Sequence, residues 1–277
     1  MMNPPHFPPP MKRTLRTLAT VLMLFPAYGV FAYVVMPASW RQYHRFAGAP
    51  GSCGVTRTLE GLAADPLNVA LVGSEAQVAA AMRAAGWAPA DRITLRSGLK
   101  DATSVLFHRP YVSAPVSTHV LFGRPQDLAY EQIVGGSPRR RHHVRLWRAN
   151  RPADPRDTLW VGAASYDAKL GFSRYTGEVI HHIDTRIDGE RDRLLSDLDR
   201  GGLLARSECG AGPLAAGRGF NGSGDAWETD GRLCVAVLGE PGTSRPSGPS
   251  LEGTLAELRE RASRSGATVE RNETRAR

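Results

Sequence analysis

From Thr17 to Met36 the chain reads TLATVLMLFPAYGVFAYVVM, a run without a single charge. At about 1.5 Å of rise per helical residue, such a run matches a hydrocarbon core of roughly 30 Å. A backbone in lipid must satisfy its own hydrogen bonds, so residues 17–36 are expected to form a transmembrane helix, kinked at Pro26. Trp40 and Tyr43 then fall where interfacial aromatics belong. A cleaved signal peptide competes with this reading, because Lys12, Arg13 and Arg16 make a basic n-region and Val30-Phe31-Ala32 resembles a cleavage site preceding Tyr33. Against cleavage, the apolar run continues to Met36, beyond the roughly 7–15 residues of a signal-peptide core. A buried core helix is the third reading. Residues 1–16, opening on the proline-rich MMNPPHFPPP, are read as a short cytoplasmic N-terminus. Three basic residues before the span face Arg41 and Arg45 after it, which favours an extracytoplasmic position for the rest of the chain under the positive-inside rule.

The 277 residues leave room for one good-sized domain beside this anchor. Apolar residues at 42% and charged ones at 22% are enough to build a core and exclude a disordered chain. Three cysteines, Cys53, Cys209 and Cys234, exclude a disulfide scaffold and match no metal-binding spacing. In an oxidising compartment Cys209 and Cys234 could bridge two late segments, leaving Cys53 near the anchor. The formal charge of +8 favours anionic surfaces, with no specific nucleic-acid partner expected.

Glycines and prolines between 46 and 66 read as a juxtamembrane linker, 37–66, with an ordered domain over 67–240 and a polar, disordered tail over 241–277. Residues 68–73 read as a buried strand. Ser74 caps a helix with Val78, Ala81, Met82 and Ala85 on one face, which Gly86 stops. A second helical stretch is expected over 95–106. Strands follow at 118–122, 128–134, 142–148 and 159–166, close enough in sequence for an antiparallel meander. A helix over 187–198 and strands at 203–207 and 233–238 complete an α+β pattern: one mixed, largely antiparallel sheet with flanking helices. The glycine-rich stretch within 210–232 lacks the Gly-Lys-Ser/Thr ending of a phosphate loop and reads as a loop.

Four segments, PLNVALVGSEAQVAAAMRAAGW, GRPQDLAYEQIVGGSPRRRHHVRLWRA, LWVGAASYD and VIHHIDTRIDGERDRLLSDL, occur in the order found in the LssY-like C-terminal domain family of bacteria. The chain resembles that family over roughly residues 65–240. The resemblance implies a membrane-associated envelope protein of undefined activity, in a family whose name comes from a type I secretion component. Some relatives carry the domain behind polytopic membrane regions of the phosphatidic-acid-phosphatase or DedA type. This chain has one short anchor and no residues matching those active sites, so no phosphatase chemistry carries over.

The densest polar stretch is Arg139 to Arg148. As a strand it places Arg139, Arg141, His143, Arg145 and Trp147 on one face and His142, Val144 and Leu146 on the other. The first face is a candidate anion site, since guanidinium groups grip phosphate or carboxylate with two hydrogen bonds; a solvated face with internal ion pairs is the bland alternative. The doublets His142-His143 and His181-His182, one histidine from each together with Asp184, make a candidate zinc set with one position open to water. More simply, the acidic residues after Asp184 favour a helix N-terminus, and Glu190 and Asp192 pair with arginines. Arg124 and Asp127 are expected to pair across a tight loop. Ser165, Asp167 and the histidines lack the G-x-S-x-G setting of a hydrolase triad. The leading expectation is an anchored envelope domain that engages an anionic lipid, glycan or envelope protein; the alternative is a metal-assisted hydrolase acting on a phosphorylated or acylated envelope component.

Overall fold

The structure is a computed structural model that describes residues 10–47, 54–91, 113–136, 139–149 and 158–239, with a few isolated positions besides. The first described element is a nearly continuous helical rod: α1 (Pro10–Val30), a π-helical turn at Phe31–Val35 and α2 (Met36–Ala47). Pro26 lies inside α1, ahead of the π turn. Within the rod Arg16–Tyr43 is long and apolar enough to cross a membrane, with only 6% of its most apolar window buried. A signal sequence near an N-terminus can also be this long and apolar when its flanks are counted.

Strands β1 (Val55–Thr58) and β2 (Ala63–Pro66) come next, and both fall inside the segment expected to be a linker. Gly61 there turns the chain between two short strands rather than loosening it. The Thr56 hydroxyl secures the pair by donating to the Asp65 carbonyl and accepting from the Asp65 amide. The ordered domain therefore begins near Gly54, not Leu67. Helix α2 likewise carries the rod ten or so residues into the expected linker.

β3 (Val69–Val72) and α3 (Glu75–Ala84) follow as the pattern predicts. Ser74 and Gln77 form a reciprocal capping box at the start of α3, satisfying donors the first turn leaves open. Gly86 ends it at φ 80°, a conformation that suits glycine. After β4 (Ala88–Pro89), the helix expected over 95–106 lies outside the described residues except for helical positions 103–104. The remaining elements are β5 (His119–Leu121), β6 (Arg124–Pro125), β7 (Leu128–Ile133), β8 (Arg141–Arg148), β9 (Leu159–Phe172), β10 (Val179–Ile183), α4 (Ile187–Arg200), β11 (Leu204–Ala211), β12 (Gly217–Phe220), β13 (Ala226–Thr229) and β14 (Arg232–Leu238). The 210–232 stretch thus holds a hairpin, β12–β13, within the expected loop. The tail beyond 240 lies outside the described residues apart from two positions.

The fold is α+β. Its main sheet has eight strands in the order β11-β14-β3-β9-β8-β7-β4, with β10 along β9; β2-β1-β5-β6 and β12-β13 form smaller sheets beside it. β7-β8-β9 is the expected meander, and among the described strands of this sheet β14 alone runs parallel to a neighbour, β3. One face packs Leu71, Val144, Leu146 and Trp160 beneath α3 and α4, which contribute Met82, Leu194 and Leu198. Each such side chain withdrawn from water is worth about 1.5–3 kcal/mol. Buried Asn68 ties the layers, donating to the carbonyls of Ala164 and Ile187 while accepting from the Ala164 amide. Gly162 stands mid-strand because a Cβ there would come within 2.8 Å of the Arg145 carbonyl and 2.7 Å of the Leu146 side chain. The opposite face is apolar around Trp147, Val161, Ala163 and Val235. Towards the other end of β8 and β9 it turns polar. Cys209 and Cys234 are cross-strand partners on β11 and β14 and are joined by a disulfide.

Candidate functional site

Cross-strand register sets the chemistry of that polar area. Glu131, His143 and Ser165 are opposite one another on β7, β8 and β9, as are Ile133, Arg141 and Asp167. Period-two alternation puts Arg141, His143, Arg145 and Trp147 on one face of β8, as the sequence implies. Arg139 does not join them: it is an exposed turn residue ahead of the strand. Trp147 belongs to the apolar cluster. The face is not solvated either, for Arg141, His143 and Arg145 are each less than 5% exposed.

Buried cations need partners, and these have them. Arg141 donates to Asp167 at 2.8 Å, to Glu131 at 3.0 Å and to the Pro115 carbonyl at 3.1 Å. Arg145 donates to Asp65 at 2.6 Å and to the Ser117 carbonyl at 2.9 Å. Between the two ion pairs lies His143, with Nδ1 3.5 Å from Asp167 and Nε2 3.7 Å from Asp65. Neither ring nitrogen has a hydrogen-bond partner among the described residues. His119 from β5 approaches the same carboxylate at 3.7 Å and the Thr56 hydroxyl at 3.3 Å.

The electrostatics follow from burial against pairing. Burial pushes the Asp65 carboxyl up, but His119, Arg145 and His143 outweigh it and hold it well below the usual carboxylate range. Asp167 behaves likewise: His143, Arg141 and His181 overcome burial and bring it to about 2. His119 is driven the other way for an imidazole, down to about 3, first by burial and then by the Arg145 charge. Burial also lowers Arg145, against the pull of Asp65 and Asp167.

This wall lines a cavity of about 700 Å³ that also takes in Asp65, His119 and His181, hydroxyl and amide groups of Thr118, Ser173, Thr176 and Asn221, and Tyr33 from the helical rod. Ser165 is buried beside His143 but does not line the cavity, so its hydroxyl is out of reach of a ligand there. The histidine doublets are divided. His143 and His181 share this cavity near Asp167. His142 lies on the opposite face, bonded to Glu190 at 2.8 Å and stacked on Tyr166, in a second recess of about 640 Å³ with Asp184. His182 pairs with Asp225, and Asp184 accepts from the Arg186 amide. No group of three or more potential ligands converges to hold a metal among the described residues. Arg124 and Asp127 pair at 2.5 Å, and Asp127 also accepts from the Arg148 amide. Asp192 pairs with Arg191, whereas Glu190 takes His142 instead of an arginine.

Asp65, His119 and Glu131 are the site residues that the sequence reading missed. Asp65 was hidden in the supposed linker. Glu131 carried a signal: a lone acid within the apolar strand Leu128–Ile133, at a position whose alternation points inward. His119 stood in an expected strand with no spacing motif to mark it.

A helix of membrane-spanning length joined to an α+β domain with a buried, charge-paired cavity at its foot defines the class of protein. The profile of the family described as LssY C-terminus matches residues 41–233, most of the chain. The chain belongs to that family. No curated protein and no solved structure matches it.

Proposed function

We propose that this chain is a single-pass membrane protein whose domain lies outside the cytoplasm and receives the polar headgroup of an envelope lipid or lipid-linked glycan in the cavity beside its anchor. One observation carries the reading: the cavity that contains the buried Arg141-His143-Arg145 ladder is also walled by Tyr33 of the apolar helix. A ligand with its chains in the bilayer would have its head next to that wall. The volume falls within the roughly 300–1,000 Å³ of small-molecule sites. The Cys209–Cys234 disulfide favours an oxidising compartment.

The chemistry narrows the ligand. Arg141 and Arg145 are matched by Asp65, Asp167 and Glu131, so their charge is largely spent within the protein. What else faces the cavity is a set of imidazoles, hydroxyls, the Asn221 carboxamide and the carboxylates of Glu60 and Glu178, better suited to a hydroxyl-rich head than to a bare anion. The experiment is native mass spectrometry of the full chain released from its membrane in mild detergent. Wild type should carry a lipid-sized adduct that the rim-filling variant Thr118→Trp loses. An adduct retained by that variant, or none in wild type, would refute the reading.

A metal-assisted hydrolase acting on a phosphorylated or acylated envelope component keeps one observation in its favour, the placing of one histidine from each doublet, His143 and His181, near Asp167. Zinc held there would supply a hydroxide at neutral pH. Elemental analysis of the purified full chain decides it, and less than stoichiometric zinc after purification without chelator ends it.

A further inference from the structure

The turn joining β9 to β10, residues 173–178, is bound to the helical rod at three levels. Tyr28 donates its hydroxyl hydrogen to the Gly177 carbonyl. The Val179 amide donates to the Tyr33 hydroxyl at 3.0 Å, and the Trp40 indole donates to the Tyr175 carbonyl at 2.9 Å with the two rings edge to face. Ala32 is fully buried, and a Cβ placed on Gly177 would lie 3.9 Å from its methyl group.

Helix arithmetic gives these contacts a meaning. The uncharged run of 17–36 has no length to spare for a core of roughly 30 Å, so Arg16 marks one boundary and Met36 the other. Tyr28 then lies about 12 Å inside the boundary at Met36. A turn bonded to Tyr28 and Tyr33 cannot stay clear of the membrane. Its surface agrees: Phe172 is 64% exposed, Val179 51% and Tyr175, with one side of its ring against Trp40, 38%.

The backbone supplies an independent observation. An irregular turn in water can leave its amides to solvent, but one beneath a bilayer surface cannot. Every amide from Ser173 to Val179 is satisfied inside the protein: Ser173 by the Glu178 carbonyl, Arg174 by Ser223, Tyr175 and Thr176 by the Ser173 hydroxyl, Gly177 by the Ser173 carbonyl, Glu178 by the Thr176 hydroxyl and Val179 by Tyr33. Glu178 turns to the cavity and accepts from Thr176. Arg174 lays its stem across Gly224, and a side chain of this length can carry its head to the level of lipid phosphates.

We infer that the β9–β10 turn is a second membrane contact, seated with Phe172, Tyr175 and Val179 in the headgroup and upper acyl region of the bilayer that the helix crosses. The inference rests on the anchor reading above and deepens it, because a seated turn fixes the height of the domain and brings Ser173, Thr176 and Tyr33 of the cavity to the membrane surface.

The test uses the full chain in phosphatidylcholine–phosphatidylglycerol vesicles, with Cys53→Ser leaving only the cysteines of the Cys209–Cys234 bridge. A fluorophore is attached at Phe172→Cys or Val179→Cys, at Met23→Cys on the helix, and at Arg83→Cys on α3. Lipids with nitroxide-bearing chains should reduce emission about twofold or more at the two turn positions and at Met23, and leave Arg83 unchanged. Quenching at Met23 with both turn labels behaving like Arg83 would overturn the second contact while sparing the anchor. No quenching at Met23 would overturn both.

Discussion

Asp65→Asn is the sharpest probe of the charge ladder, since it removes one negative charge without changing the side-chain shape. Asp65 is 3% exposed and holds Arg145 at 2.6 Å. With it neutral, the Ser117 carbonyl is left to satisfy a guanidinium that is 4% exposed. Breaking a buried ion pair from one side costs about 3–5 kcal/mol, against less than about 1 kcal/mol for an exposed pair. For a domain of this size that is a fall in Tm of about 10 °C. The assay is thermal unfolding of the full chain in detergent at neutral pH, followed by tryptophan fluorescence. Arg218→Gln, which breaks the exposed Arg218–Glu228 pair, serves as the control and should shift Tm by about 2 °C or less. The double variant Asp65→Asn/Arg145→Met should recover at least about half the loss, because the stranded charge has gone. A single variant that melts with wild type, or a double variant as unstable as the sum of the singles, would refute the account of a buried, mutually dependent pair.

Two further outcomes follow from the same structure. His119 has its pKa lowered from 6.5 to about 3 on folding, so the unfolded chain binds the proton first; stability is unaffected above about pH 6.5 and falls by up to about 1.4 kcal/mol per pH unit between there and pH 3. Asp65 and Asp167, lowered from 3.8, contribute stability that is complete above that value and lost as pH drops through their folded values, so urea titrations across pH should show His119→Gln flattening only the upper part of the acid limb. Reducing the Cys209–Cys234 bridge, which closes a separation of 25 residues, should lower stability by about 3 kcal/mol, read as a Tm difference with and without reductant.

Local periodicity made most of the fold legible. Val78, Ala81 and Met82 at helical spacing behind Ser74 gave α3, and alternation through Arg141–Arg148 gave both β8 and the sides its residues take. The resemblance to the LssY-like family, carried by four ordered segments, is likewise borne out by the match over 41–233. What the sequence withheld was the partner of each charge. Internal ion pairs could be weighed for Arg141 and Arg145, but their partners could not be named, because Glu131, Asp167 and Asp65 lie ten, twenty-six and eighty residues away. Pairing at such separations is set by register between strands, which no local window reports. The linker misreading has the same root. Val55–Thr58 is too short for a periodic signal, and its pairing with β5 becomes visible only once the chain returns some sixty residues later.

Strand β9 ties these features together. Its first half, Leu159 to Ala164, lies in the two apolar clusters; its middle carries Ser165 and Asp167 beside the ladder; its end, Phe172, reaches the turn bound to the helix. The register between β9 and β10 is therefore the link between the helical rod and the cavity. It is locked at one place by His182, whose ring lies over Gly171 so closely that a Cβ there would approach within 2.6 Å, and whose Nδ1 is held by Asp225. A one-residue slip of β10 would turn His181 away from the cavity and part His182 from Asp225, whereas a slip between β8 and β9 would carry Asp167 away from Arg141 and leave a buried guanidinium stranded, at a cost of about 3–5 kcal/mol. The integrity of the cavity wall and the attachment of the turn to the helix are thus not separable properties of this chain, because one hydrogen-bonded ribbon carries both.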